Sequence, residues 1–200
     1  MRLLLLSAAL AIAAATFAGG AQSAPRPVTT KPSVAVPVWT VDKAASRLGF
    51  RGSFGGEAFD GTFRRWDADI SFDPKRLGAS RVSVTVDLAS AVTGDTTRDQ
   101  ALPTEDWFAI KRVPKATFVG RGFRQLGPGR YAVDGDLSIR GVKRPLTLPF
   151  SLAIAGKVAT MQAAVGVDRT AFGIGQGQFK NGDTVAAQVA VGIKLTARTP

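Results

Sequence analysis

Five carboxylates crowd one stretch of this chain: Asp87, Asp95, Asp99, Glu105 and Asp106. Two carboxyl groups held at the right separation can divide acid and base work, so a hydrolase acting on lipid or polysaccharide is one reading. Carboxylates in turns and at helix starts are more often caps and solvated charges, and that reading is preferred here. Arg98 beside Asp99 also has two readings. It forms an ion pair with Asp99 that ties the segment down, or it offers a planar fork to a phosphate or other polar head group. Trp107 and Phe108 follow, an aromatic doublet that either plugs a core or touches a ligand.

The rest of the chemical inventory is short. Histidine and cysteine are both absent. Their absence removes a Ser-His-Asp triad, a Cys nucleophile, the usual Cys/His zinc site and a His-ligated haem. No Asp-rich loop with calcium-binding spacing occurs, so neither a metal nor a required cofactor is expected. The glycine-rich DRTAFGIGQGQF (168–179) lacks the strand-to-helix context of a phosphate loop, and its Phe172 is a candidate apolar wall residue.

At 200 residues the chain is long enough for one domain with a sizeable core. Residues 1–23 read as a secretory signal peptide: Arg2, then the apolar run Leu3 to Ala18, then a small-residue cleavage region at Ala21-Gln22-Ser23. The run falls short of the roughly 20 residues of a membrane span. A flexible leader rich in Pro and Thr is expected over 24–37, and the folded domain over 38–200. The formal charge of +11 becomes +10 without Arg2, which favours an anionic membrane surface as a partner. Lys and Arg are scattered, without interleaved stacking aromatics, so no nucleic-acid partner is expected.

The elements that must position these residues are strands. Val82, Val84, Val86 and Leu88 alternate with Arg81, Ser83, Thr85 and Asp87. The same period-2 pattern recurs over Tyr131 to Ile139, Leu146 to Ile154, Met161 to Val167 and Val185 to Leu195, so each run has one face in the core. Gly127-Pro128-Gly129, Arg140-Gly141, Gly156-Lys157 and Asn181-Gly182-Asp183 mark the turns. Earlier runs are broken. Trp39 to Asp42 and Arg47 to Ser53 read as two pieces of one strand, and a phase slip at Arg64-Arg65 predicts a bulge or sharp bend. A helical interruption is expected over about Thr96 to Ile110. Some eight strands, hairpin-connected, predict an all-β antiparallel meander closed into a barrel, with a short helical insertion after the third or fourth strand. Its interior suits a slender apolar ligand, with no inward charge on the later strands. Phe50, Phe63, Trp66 and Phe118, with Val84 and Val86, form the expected wall.

The order of four segments resembles the YceI-like family of secreted lipocalin-like proteins. They are DLASAVTGDTTRDQALPTEDWF (87–108), VPKATF (113–118), GRYAVDGDLSIRGVKRPLTLPF (129–150) and DRTAFGIG (168–175), the last fitting the family's Arg-x-x-Phe-Gly ending. The resemblance covers about Val38 to Ala197. It implies an extended, lipocalin-like barrel around a long apolar channel that holds an isoprenoid lipid or quinone. It further implies a periplasmic location, a carrier or reservoir role rather than catalysis, and a monomer or homodimer. On that reading Phe50, Phe63, Trp66, Val84, Val86, Arg98, Trp107, Phe108, Phe118 and Phe172 are the ligand-binding residues. Many relatives carry histidines where this chain has Ala45-Ser46 and Gly52-Ser53-Phe54, and often Phe where it has Val113, a change expected to reshape the channel mouth. A fully packed barrel that serves as a protein-interaction module is the remaining alternative.

Overall fold

The computed structural model describes residues Ala35–Pro200. The expected signal peptide and most of the leader lie outside the described residues.

Eleven strand segments form one antiparallel sheet that closes on itself. They are β1 (Val38–Val41), β2 (Arg47–Phe54), β3 (Glu57–Phe63), β4 (Trp66–Ser71), β5 (Arg81–Asp87), β6 (Ala91–Val92), β7 (Lys115–Gly127), β8 (Arg130–Ile139), β9 (Val142–Ala155), β10 (Val158–Asp168) and β11 (Gln188–Arg198). Six of them are halves of three broken strands. β1 and β2 both pair with β11, β3 continues as β4, and β5 continues as β6, so the ring has eight staves. β1 closes it by pairing with β4 on one side and β11 on the other.

The breaks have local causes. At Arg64-Arg65, where the hydrophobic phase slips, the Arg64 amide donates to Ser90 O (3.1 Å) and the Arg65 amide to Ser90 Oγ (3.0 Å). The chain thereby leaves one neighbour for another without stranding a buried amide. The alternation through Leu88 predicts a longer β5, but Asp87 accepts the Ala89 amide (2.9 Å) and turns Leu88–Ser90 into a 3-10 turn. Leu88 stays in the core at 2% exposure.

Two expected boundaries are corrected. The helix α1 covers only Thr96–Ala101, not the stretch to Ile110. Pro103 has no amide to continue the ladder, and the chain breaks into turns that pass through Ala109 at φ 51° and run on to Arg112. The last strand begins at Gln188 rather than Val185, which makes one isolated bridge to Phe54 and is buried.

The β9–β10 ladder runs only from Ala155–Val158 to Phe150–Ala163, although both strands continue. The Leu152 amide donates to Gly129 O beside β8, so even-numbered β9 amides face β8 and odd-numbered ones face β10. Pro145 and Pro149 are odd. Each leaves the β10-facing edge without a donor, and the ladder ends where the first would be needed.

All long connections lie at one end, which carries residues 88–114 and 169–187, the β2–β3 turn and the β8–β9 turn. The opposite end has the β4–β5, β7–β8 and β9–β10 turns and is filled by aromatic rings. Phe72 lies 5.3 Å from Phe123, 5.6 Å from Tyr131 and 6.2 Å from Phe150, centroid to centroid. The Trp39 indole donates to Phe72 O (2.9 Å), so the plug has no stranded polar atom.

Candidate functional site

Above that aromatic floor the barrel is hollow. A cavity of about 560 Å³ runs towards the end with the long loops, in the range of ligand pockets. Its wall follows from the period-2 patterns: one parity of each strand faces in. Phe50 and Phe63 come from β2 and β3, Trp66 from β4, Val84 and Val86 from β5, and Phe118 from β7. Leu146 and Leu148 on β9 and Val165 and Val167 on the adjacent β10 line one wall.

The bore is set by pairs of phenylalanine and glycine. Phe50 is the register partner of Gly61, and Gly52 the partner of Phe59. A Cβ on Gly61 would fall 2.6 Å from two Phe50 ring carbons, and one on Gly52 would fall 2.7 Å from Phe59 Cζ. Each ring lies flat across the missing side chain and is kept out of the lumen. Phe118 does the same over Gly135, where a Cβ would meet its Cζ at 2.8 Å.

Polar side chains border the cavity mainly at its mouth, around Thr93, Asp95, Thr97 and Arg98, near the half-exposed Phe54 at the β2–β3 turn. The expected Arg98–Asp99 ion pair does not form. Asp99 accepts from Thr93 N and Oγ1, both at 2.7 Å. Burial pushes the Asp99 carboxyl up, but the Thr93 and Gly94 hydrogen bonds outweigh it and hold it below the usual range. Arg98 turns the other way. Its guanidinium lies over the Phe59 ring at 4.5 Å and reaches Asp95 Oδ2 only at 3.7 Å. Asp95 is chiefly the N-cap of α1, accepting from the Arg98 amide at 2.9 Å.

The cap over the mouth end is two loops stitched together. Gly175 and Gln176 amides both donate to Asp106 O (2.7 and 2.8 Å), and the Trp107 and Phe179 rings lie 5.3 Å apart. Arg140 sits at φ 54° in the β8–β9 turn and donates to Gly173 O in one loop and Glu105 O in the other. Trp107 and Phe108 both line the cavity, Phe108 being the more buried.

Arg169, which the strand pattern gave no reason to single out, borders the cavity as a buried charge. It is 3% exposed and donates to four carbonyls: Ala186 (3.0 Å), Ile174 (2.6 Å), Phe179 (2.7 Å) and Val185 (2.6 Å). Burial lowers its pKa, opposed by Asp168 alone. Gly175 is fixed by this knot: its φ is 80°, and a Cβ there would collide with the guanidinium, 3.1 Å from Cζ. The signal that pointed to Arg169 was the Arg-x-x-Phe-Gly segment itself.

Nine of the ten expected wall residues border the cavity, and Phe172 does not. The Thr170–Phe172 3-10 turn carries its ring into a separate cluster with Leu88, Ala91, Phe108 and Ala116, while Ile174 and Phe179 take the wall position. Val113 is likewise absent from the wall and sits near Gly141. The clustered carboxylates are dispersed. Asp87 pairs with Arg65 (2.8 Å), which holds its carboxyl below the usual range, and Glu105 pairs with Arg112 (2.9 Å). Of the five, only Asp95 borders the cavity.

This geometry recurs in solved structures. BcnA from Burkholderia cenocepacia superposes with a TM-score of 0.75 and 30% identity, covering 78% of this chain and 98% of that one. A polyisoprenoid binding domain from Saccharophagus degradans, implicated in plant cell wall breakdown, has a TM-score of 0.65 at 17% identity. That likeness covers 82% of this chain and 99% of the other, and it is one of fold. Among sequences, the UPF0312 protein of Pseudomonas syringae pv. syringae is 32% identical over 117 residues, 58% of each chain. Protein YceI of Escherichia coli O6:H1 is 35% identical over 92 residues, 46% of this chain and 48% of that protein. The aligned stretch thus spans about half the length of these relatives. The sequence pattern of the YceI-like domain matches residues 39–197, nearly the whole barrel from Trp39 in β1 to Ala197 in β11, and the chain belongs to that family.

Proposed function

We propose that the barrel binds one long, slender apolar lipid, an isoprenoid chain or a quinone with an isoprenoid tail, as a periplasmic carrier or reservoir. The observation that carries this reading is the distribution of polarity along the cavity. The lumen is walled by aliphatic and aromatic side chains from the Phe72 floor upward, and Arg98, Thr93 and Thr97 stand at the mouth. A molecule with a hydrocarbon tail and one polar end matches that gradient.

Magnitudes favour a long tail. Each buried methylene contributes about 0.8 kcal/mol. Ten contribute roughly 8 kcal/mol, within the roughly 4–15 kcal/mol lost on association. A tail about twice that length clears the loss without a single hydrogen bond. A binding rather than a hydrolytic role is supported by the carboxylates: Asp87 and Glu105 are held in ion pairs and Asp99 by Thr93, all off the cavity wall, and Asp95 at the mouth caps α1. The name of the Saccharophagus domain points the same way.

Native mass spectrometry of the protein secreted by its own host, followed by solvent extraction, tests the reading. A co-purifying apolar species of defined mass is the expected result. A barrel that carries nothing and takes up neither polyprenyl lipid nor quinone from a lipid extract overturns it.

A further inference from the structure

The two ends of the barrel differ in charge and in exposed apolar surface. At the closed end, the turns 72–80, 127–130 and 155–158 and the described chain termini carry Lys75, Arg76, Arg130, Lys157 and Arg198 against Asp73 alone. Asp73 is neutralised by Arg76 at 2.8 Å. The turns and loops of the mouth end carry six basic residues, Arg98, Lys111, Arg112, Arg140, Arg169 and Lys180, against five acidic ones, Asp95, Asp99, Glu105, Asp106 and Asp183. The basic excess at the turns and strand ends is therefore concentrated at the closed end.

That end also holds three of the five exposed large apolar side chains of the described residues: Val38 (59%), Leu126 (49%) and Ile154 (40%). Val38 starts β1, and Leu126 and Ile154 stand one residue before the ends of β7 and β9, three staves of the same rim. Ile154 also borders the lower end of the cavity, whereas Val38 and Leu126 do not. Lys75, Arg130, Lys157 and Arg198 have no carboxylate within ion-pair distance among the described residues.

We propose that the closed end is a docking face for an anionic lipid bilayer. Apolar knobs among basic turns suit the two forces available at such a surface: shallow burial of Val38 and Leu126, and attraction of the basic residues to acidic head groups. Charge complementarity selects this occupant over a neutral apolar partner. Docked this way, the barrel points its mouth away from the bilayer, so docking and cargo exchange use opposite ends. The face does not depend on what the lumen holds.

The test is sedimentation of the secreted protein with phosphatidylcholine vesicles, with and without phosphatidylglycerol. Binding is expected only with phosphatidylglycerol and is expected to fade as salt shortens the screening length. At about 1 kcal/mol per basic residue, the double variant Arg130→Gln/Lys157→Gln partitions about 30-fold more weakly. Leu126→Ser weakens binding without changing its salt dependence. The mouth-end double variant Lys111→Gln/Lys180→Gln binds as the parent does, and all variants keep the parent's content of extracted lipid. Equal loss from the mouth-end pair, undiminished binding of the closed-end pair, or equal binding to pure phosphatidylcholine overturns the proposal.

Discussion

Phe50 and Gly61 face each other across the β2–β3 ladder, and the Phe50 ring occupies the space where a Gly61 side chain would stand. The lumen exists because of this arrangement. Inward phenylalanines would fill a barrel of this size, but three of them lie across glycines on neighbouring strands: Phe50 on Gly61, Phe59 on Gly52 and Phe118 on Gly135. Glycine in a strand usually weakens it, and here it serves the close approach of a ring.

Gly61→Ala is therefore expected to cost about 1–3 kcal/mol by overpacking. It should also drive the Phe50 ring into the lumen and lower the amount of extractable lipid. Urea unfolding together with lipid quantification checks both. A fully loaded variant would show that the ring can move elsewhere.

Arg169 holds the cap by donating to four carbonyls from one buried guanidinium. Arg169→Met leaves those acceptors without a donor, at a cost on the order of 3 kcal/mol or more. Loss of protection in the 169–187 loop before the barrel strands, read by hydrogen exchange, is the expected local signature.

The eight-stave barrel was legible in the sequence because its signal is repetitive. Each run from Val82 to Leu195 keeps one parity apolar, and Arg64-Arg65 marked its own break by shifting phase. The cap was less legible, because its order rests on main-chain partners. Nothing in the identity of Asp106 shows that its carbonyl will receive two amides from Gly175 and Gln176. Phe172 was misplaced for the same reason: a 3-10 turn, not a strand, sets its direction. Arg98 and Asp99 are adjacent in sequence, yet α1 sends one to Phe59 and the other to Thr93.

Trp107 touches the lumen, packs against Phe179 at a tilt of 43° and lies 5.8 Å from the Arg169 guanidinium. Trp107→Ala should open the cap from inside. Extracted lipid per mole of protein is expected to fall severalfold, each lost methylene contact being worth up to about 0.8 kcal/mol. Unchanged loading would remove Trp107 from the site.

Stability should be flat through neutral pH and fall in acid. The chain has no histidine or cysteine to titrate between pH 5 and 8. The Asp73 carboxyl is held low by the Lys75 amide and Arg76, Asp87 by Arg65, and Asp168 by the Thr170 hydroxyl. At Asp99, burial is outweighed by Thr93. Their folded pKa values lie below the unfolded value of about 3.9. The stability they contribute is therefore complete above that pH and lost as pH falls through the folded values. Thermal melts should hold one midpoint from pH 8 to about pH 5 and drop below about pH 4. Asp99→Asn should show a shallower drop.

Among the described residues, Arg98 is the guanidinium at the mouth that is both accessible and loosely held. It is about a third exposed, and its nearest carboxylate contact, Asp95, is 3.7 Å away. The Phe59 ring beneath it fixes the plane of the fork without using its donors. A cargo with a phosphate or paired oxygens at its polar end would gain a charge-assisted contact there that a bare hydrocarbon would not. Arg98→Lys keeps the charge and loses the fork. Uptake of a polyprenyl phosphate should weaken on the order of tenfold in this variant, while uptake of the matching uncharged prenol stays level. Equal uptake of both cargoes by parent and variant would leave Arg98 as packing for Phe59 and assign recognition to the tail alone.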